Sequence, residues 1–516
     1  MISNTFRVLI IVTMLAATFA YAPAALADSP SCDRRVNNTL KKLLECVTLE
    51  GAREHQAALQ AIADANGGIR TSGTPGFDKS IAYAKWVFTK AGYKVTIQPF
   101  EFQTFISLSA PILEQVSPPP AGPIENNIMS YSGSGDVTAT VSLPGGDFRG
   151  CEAADFAGFP AGNIALISRG APAGFPVACT FGLKATNAYN AGASGVVIYN
   201  NAPGVINGTL GNAFTLDIPV TSVTQEVGQR LSTTPDLVLR LKTETFRGIA
   251  TTYNILAESK KGDPNNVVMV GAHLDSVNAG PGIQDNGSGS AAILEVAEQM
   301  AKVKPHNKVR FALWGAEEAN LVGSTYYVNN LSPEELERIA LYLNFDMIGS
   351  PNHVFFIYDG DDSDAVGAGP GPEGSAAIEK TFETYYTLKG LPFKGTDFSG
   401  RSDYGPFIAA GIPSGGLFTG AEGIKTPDEV ALWGGTAGQQ YDPCYHLACD
   451  TYDNINLSAY DVNVDAVAFA TLKYALSTKD VNGVKGKGNF PPVSGTASVP
   501  DNASDSSLHG HEALTE

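Results

Sequence analysis

A hydrophobic run that stops at a histidine or an acid recurs along this chain. Val267-Val268-Met269-Val270 is short, apolar and β-branched, as a buried strand should be. It stops at Gly271-Ala272-His273-Leu274-Asp275-Ser276, and the glycine-rich turn Gly282-Ile283-Gln284-Asp285-Asn286-Gly287-Ser288-Gly289 follows. Val309 to Trp314 is another such run, ending in Gly315-Ala316-Glu317-Glu318. Leu341 to Phe345 is a third, ending in Asp346. Strands of this kind alternate with helical periods from Ile249 to about Ser477. That alternation predicts an α/β architecture, a mainly parallel mixed sheet sandwiched by helices. The strand ends of such a sheet share one edge, where loops aim side chains into a common crevice.

Two polar loops complete the pattern. Ser399-Gly400-Arg401-Ser402-Asp403-Tyr404 precedes an apolar helix, and Cys444-Tyr445-His446-Leu447-Ala448-Cys449-Asp450 holds a histidine between two cysteines. Taken singly, these residues have plain structural readings. Glu317-Glu318 could begin a solvated helix, Asp346 could be an N-cap, and His273 and His446 could be satisfied loop histidines. Taken together, they form a donor set suited to two zinc ions, with one histidine for each metal and a carboxylate bridging them. Adjacent acids on an extended backbone point opposite ways. One of Glu317 and Glu318 can therefore be a ligand while the other stays free as a base, which is what metal-assisted hydrolysis requires. The glycines after Asp285 are expected to let the backbone approach the metals.

Composition narrows the class. The chain has 516 residues, is 43% hydrophobic and carries a formal charge of −18. It can bury a large core, and its acidity disfavours nucleic acid as a partner. Arg7, the apolar run Val8–Ala20 and Ala25-Leu26-Ala27 read as a signal peptide over residues 1–27. The expectation is a secreted protein, extracellular or periplasmic, with no membrane attachment after cleavage. Six cysteines suit that compartment. They allow fifteen connectivities, and proximity favours Cys32–Cys46, Cys151–Cys179 and Cys444–Cys449. Oligomeric state is not legible.

Residues 33–66 read as one helix, Phe77 to Lys90 as another, and Tyr93 to Phe100 as a strand. From about Thr104 the texture changes, through a proline-rich linker, to short strands and a helix. This stretch resembles the protease-associated domain. The resemblance is carried by Cys151-Glu152-Ala153-Ala154-Asp155-Phe156, Ile164-Ala165-Leu166-Ile167-Ser168-Arg169-Gly170, Cys179-Thr180-Phe181-Gly182-Leu183-Lys184, the stretch from Asn187 to Ala193, and Ile218-Pro219-Val220. Such domains are non-catalytic lids or recognition modules inserted in peptidases. The expected organisation is a signal peptide at 1–27, an N-terminal part of the main domain at 28–105, the insert at 106–244, the main domain at 245–480 and a disordered tail at 481–516.

The strand-end motifs look like those of the secreted two-zinc aminopeptidases of the bacterial leucine-aminopeptidase and fungal aminopeptidase Y type. The most specific pieces are Gly271–Ser276, Asp285–Gly289, Glu317-Glu318, Asn344-Phe345-Asp346-Met347-Ile348-Gly349 and Tyr445–Asp450. The resemblance implies the zinc exopeptidase fold. It implies that His273 and Asp346 hold one zinc, Glu318 and His446 the other, with Asp285 between them. It further implies Glu317 as general base, Asp275 as the acid orienting His273, and Tyr445 as a hydroxyl facing the oxyanion. Arg401, Met347 and Phe418 match substrate-side positions for peptides with apolar N-terminal residues. Asp461 and Asp465 resemble part of a calcium site in some bacterial relatives, but no N-terminal partner is found for them, so Ca2+ stays an open second cofactor. The alternatives are a carboxypeptidase-type amidohydrolase and a catalytically inactive receptor on the same scaffold.

Overall fold

The computed structural model describes residues 32, 35–172, 179–201, 206, 208–365 and 367–483. The signal-peptide reading at 1–27 lies outside the described residues. So does the tail expectation beyond Gly483, whereas 481–482 end a short helix, Lys479–Asn482.

An eight-stranded sheet forms the centre. From edge to edge its strands are Lys94–Ser107, Thr245–Glu258, Asn307–Trp314, Asp263–His273, Ile339–Phe345, Ser414–Phe418, Phe356–Tyr358 and Lys394–Thr396. The four middle strands, Asn307–Trp314 through Ser414–Phe418, are mutually parallel, and antiparallel pairs flank them. This is the mixed, mainly parallel sheet that the alternation of elements predicts. The valine-rich run is buried because both faces are covered. Val268, Val270 and Ala272 enter one apolar cluster with helices Leu49–Asp64, Pro75–Ala91, Gly287–Met300 and Leu457–Leu476. Val267 and Met269 enter the opposite cluster with Trp314, Tyr342 and Phe407. The side-chain period of two thus divides one strand between two cores.

The long ribbon of Lys94–Ser107 and Thr245–Glu258 is paired from Lys94↔Glu258 to Ser107↔Thr245. The chain therefore leaves the central sheet and re-enters it at one place. Between these points lies a second eight-stranded sheet, with helices Phe181–Asn190 and Gln225–Thr233. This smaller unit is the α/β insert.

One sequence expectation is corrected. Residues 33–66 are not a single helix but Leu40–Leu44 and Leu49–Asp64. Thr48 is extended (φ −134°, ψ 151°) and its hydroxyl accepts the Gly51 N–H at 3.0 Å. An N-cap of this kind starts a helix rather than continuing one. The three cysteine pairs form as proximity favoured: Cys32–Cys46, Cys151–Cys179 and Cys444–Cys449. Among the described residues, no helix is long and apolar enough to cross a membrane.

Candidate metal centre

His273 is the last residue of its strand, Asp346 follows Ile339–Phe345, and Glu317 and Glu318 follow Asn307–Trp314. Asp285 immediately precedes Asn286, the N-cap of helix Gly287–Met300. His446 comes from the loop that Cys444–Cys449 closes. Strand register brings the first three sources together. Ala272 and His273 pair with Leu313 and Trp314, and Gly271 pairs with Asn344, so the neighbouring strands stop at one level.

The donor atoms fall into two groups that share one residue, His273 with Asp285 and Asp346, and His446 with Asp285 and Glu318. His273 Nε2 lies 3.1 Å from Asp285 Oδ1 and 3.4 Å from Asp346 Oδ1. His446 Nε2 lies 3.2 Å from both Asp285 Oδ2 and Glu318 Oε2. Ligands held tetrahedrally at 2.0–2.1 Å from one zinc stand roughly 3.3–3.4 Å apart. Both groups have nearly that spacing, and Asp285 presents a different oxygen to each. The chemistry of the donor set, one imidazole and two carboxylates per group, fits zinc. His273, Glu317 and Glu318 also cluster, but Glu317 Oε2 is farther from His273 Nε2, at 3.8 Å. Glu317 thus forms a third group that shares His273 with the first and Glu318 with the second.

The surrounding hydrogen bonds fix these positions. Asp450 accepts the Gln284 and Asp285 N–H groups at 2.7 and 3.0 Å, one with each oxygen. Asn286 donates to the Phe345 carbonyl at 3.0 Å and accepts from the Met347 N–H at 3.3 Å, stapling the Asp285 turn to the Asp346 strand end. A relay of donors runs out of the core: Trp314 to Tyr342 (2.8 Å), Tyr342 to Asn344 (3.0 Å), Asn344 to Ser402 (2.7 Å) and Ser402 to Asp346 Oδ2 (2.5 Å). Gly289 has a reason different from the one expected. A Cβ there would collide with the Phe345 carbonyl, so the glycine lets the helix start approach the strand end. Ala316, Met347 and His446 adopt left-handed backbone angles (φ 52°, 51° and 57°) without being glycines, each next to or at a clustered side chain. Such conformations cost about 1–3 kcal/mol apiece and persist where packing dictates them.

The site is strongly acidic. Burial opposes a charge on His273, yet the carboxylates of Glu317 and Asp346 outweigh it and hold the imidazole's pKa well above its usual value. Burial, with the nearby Asp346 and Asp275, pushes Asp403 up to about 7 against the pull of His273. Burial raises Asp450 well above the carboxylate range, reinforced by Asp442. An unforeseen counter-charge lies beneath: fully buried Arg70, which donates to the carbonyls of Leu274, Pro281 and Gly282. Burial lowers its pKa to about 10, opposed by Asp275, Asp450, Asp285 and Glu318.

The other expected residues are placed as follows. Asp275 accepts the Glu317 N–H at 3.3 Å. His273 Nδ1 is nearer the Asp275 carbonyl oxygen (3.2 Å) than its carboxylate (3.7 Å). Tyr445 stacks on His446, ring centroids 3.9 Å apart, and its hydroxyl accepts from Arg401 at 3.3 Å. Arg401 is also paired with Glu422 at 2.6 Å. The Thr419 N–H donates to the Met347 carbonyl at 3.0 Å, which brings Phe418 beside Met347. Asp465 is paired with Lys389 at 3.0 Å. Asp275, Glu318 and His446 border a cleft of 490 Å³ that reaches the insert.

The profile of peptidase family M28 matches residues 254–471, and that of the PA domain matches residues 135–231. An aminopeptidase of Pseudomonas aeruginosa is 50% identical over 455 residues, covering 85% of this chain and 83% of its own. Leucine aminopeptidase 2 of Trichophyton rubrum is 48% identical over 337 residues, covering 64% of this chain and 66% of its own. Among solved structures, an aminopeptidase from Aneurinibacillus sp. strain AM-1 superposes with a TM-score of 0.64 at 27% identity, covering 88% of this chain and 98% of its own. A zinc aminopeptidase from Bacillus subtilis does so with a TM-score of 0.62 at 26% identity, covering 87% and 99%.

Proposed function

The chain belongs to peptidase family M28, with a PA domain inserted in it, and from that premise we propose that it is a secreted aminopeptidase using two zinc ions. The observation that carries this reading is the pair of histidine–carboxylate groups sharing Asp285, with the Glu317 carboxylate beside them. On this reading His273 and Asp346 would hold one zinc and Glu318 and His446 the other, with Asp285 common to the two donor groups. When bound, the metals supply Lewis acidity toward the scissile carbonyl and acidify a water.

The protein's own groups do the rest. Glu317, fully buried beside the cluster, takes the proton of the attacking water and returns it to the leaving amine. Its backbone N–H on Asp275 fixes the loop that aims it. Tyr445, held by stacking on His446 and by Arg401, offers its hydroxyl to the oxyanion. Burial raises its pKa well above the usual phenol value, against the opposing pull of Arg401, so it stays a donor. The acidic surroundings favour a substrate's α-ammonium group. Met347 and Phe418 form the apolar side for the N-terminal side chain. Secretion is supported by the three disulfides, which belong to oxidising compartments.

A carboxypeptidase reading needs a cation for the substrate's C-terminal carboxylate, and Arg401 already serves Glu422 and Tyr445. An inactive receptor has no use for a buried base beside the donor groups. A panel of free and N-acetylated aminoacyl anilides, with and without chelator, tests the reading. Cleavage of the free-amine members alone, lost on chelation and restored by zinc, is expected. Equal cleavage of the blocked substrates would sink it.

A further inference from the structure

The proposed zinc cluster is not sealed. Glu318 and His446 stand at one end of the 490 Å³ cleft, and the insert walls the other. That volume lies in the range of small-ligand sites. Phe105 and Leu108, where the ribbon passes into the insert, form one side with Ile128 and Tyr131 of the insert itself, and Val277 and Ala319 come from the site loops. The Phe105 and Tyr131 rings lie 5.7 Å apart. Asn278 donates to the Phe105 carbonyl at 2.8 Å, tying the loop after Asp275 to the same wall. Leu108 is 65% exposed, so the wall presents an apolar side chain to whatever enters.

The charge of this lining decides what it accepts. Among the described residues bordering the cleft, the acids are Asp275 and Glu318, the one imidazole is His446, and none is Lys or Arg. Arg247 reaches the Tyr131 carbonyl at 3.3 Å, but Asp217 already holds it at 2.5 Å. Apart from the proposed zinc ions at one end, a carboxylate in this cleft would find only hydroxyls and amides such as those of Ser107, Asn126 and Thr209, with no Lys or Arg to receive it, which is costly in a partly desolvated site.

We infer that the cleft receives the residues following the scissile bond and discriminates against a carboxylate among them. This rests on the aminopeptidase reading. With the α-amino group at the metal-ligand cluster, the rest of the peptide leaves by the opening that Glu318 and His446 border. The preferred substrates are then peptides whose second and third residues are neutral or apolar. Short peptides ending there in a free carboxylate are poor substrates. The insert acts as a specificity wall that an anilide, with its small leaving group, does not test.

The experiment uses the zinc-loaded mature protein with leucyl dipeptides and tripeptides, each as free acid and as C-terminal amide, and a leucyl anilide for reference. The amides are expected to exceed the free acids at least tenfold in kcat/KM. Leu108→Lys places an ammonium on the exposed wall. It should narrow that ratio severalfold for at least one peptide length. Leu108→Gln, which changes shape but not charge, should leave the ratio as in the wild type. Free acids cleaved as fast as amides, or a ratio that Leu108→Lys leaves unmoved, would overturn the inference. Cleavage of none of these substrates would instead overturn the aminopeptidase reading, and the inference with it.

Discussion

His273 and Asp346 leave the ends of neighbouring parallel strands, whereas Glu318 and His446 ride on loops. The first pair is almost completely buried, and the relay from Trp314 through Ser402 braces Asp346. The second pair borders the cleft, and its histidine depends on a disulfide-closed loop with a left-handed backbone. The same donor chemistry is thus held once by a sheet and once by loops. A sheet fixes its strand ends through many cooperative hydrogen bonds, while a loop is fixed only by its own few contacts. On the two-zinc reading, the buried group should hold its metal more tightly and the cleft-side group should exchange first.

The largest effect should come from the residue both halves share. Asp285→Ala removes a ligand from each group, and we expect loss of both metals and activity at background. Metal analysis retaining about two zinc per chain in that variant would break the comparison at its root. Next is Glu317→Gln, which touches neither group directly. We expect kcat about 10²–10⁴-fold lower at unchanged zinc content. Loss of metal together with activity would move Glu317 from base to ligand, and the cluster His273–Glu317–Glu318 would then be the better description.

The two halves also differed in how far they could be read. The strand-end half was legible because a run such as Val267–Val270 signals its own burial, and whatever follows it must emerge at the sheet edge. Nothing local places Asp285 or His446 beside those residues. Their approach depends on the turn that Asp450 clamps and on a loop from far along the chain, and the family resemblance supplied it. Arg70 was invisible for a related reason. It follows Gly67-Gly68-Ile69 like any loop arginine, and only the fold buries it against carbonyls more than two hundred positions away. Ser402 was in a loop marked as polar, without a role, because its partners Asn344 and Asp346 lie at another strand end. The break at Thr48 could have been read, since threonine before Leu49-Glu50 is an N-cap pattern that the apolar period masked.

Ser402→Ala sharpens the comparison on the sheet side. Removing the hydroxyl that donates to Asp346 Oδ2 at 2.5 Å leaves the carboxylate whose other oxygen faces His273 without its brace. Loss of such supporting bonds typically weakens metal binding about 10–100-fold. Stepwise chelation should show the drop in the tightly held metal alone. An equal drop in both would mean that the groups do not hold their ions separately.

The smallest effect is expected from opening the Cys444–Cys449 bridge by replacing both cysteines with serine. The bridge spans a sequence separation of 5, and a loop that short removes about 2 kcal/mol of unfolded-state entropy in the chain-entropy model. His446 sits at φ 57° inside that loop. Without the bridge the loop can relax, and the imidazole spends less time 3.2 Å from Glu318 and Asp285. We expect a few-fold weaker hold on the cleft-side metal, a modestly lower melting temperature and no change in the buried metal. Because Ser402 and the bridge act on different groups, their effects on metal affinity should add when combined. A coupling much larger than the experimental error would show that Asp285 transmits strain between the groups, making the cluster one unit rather than two.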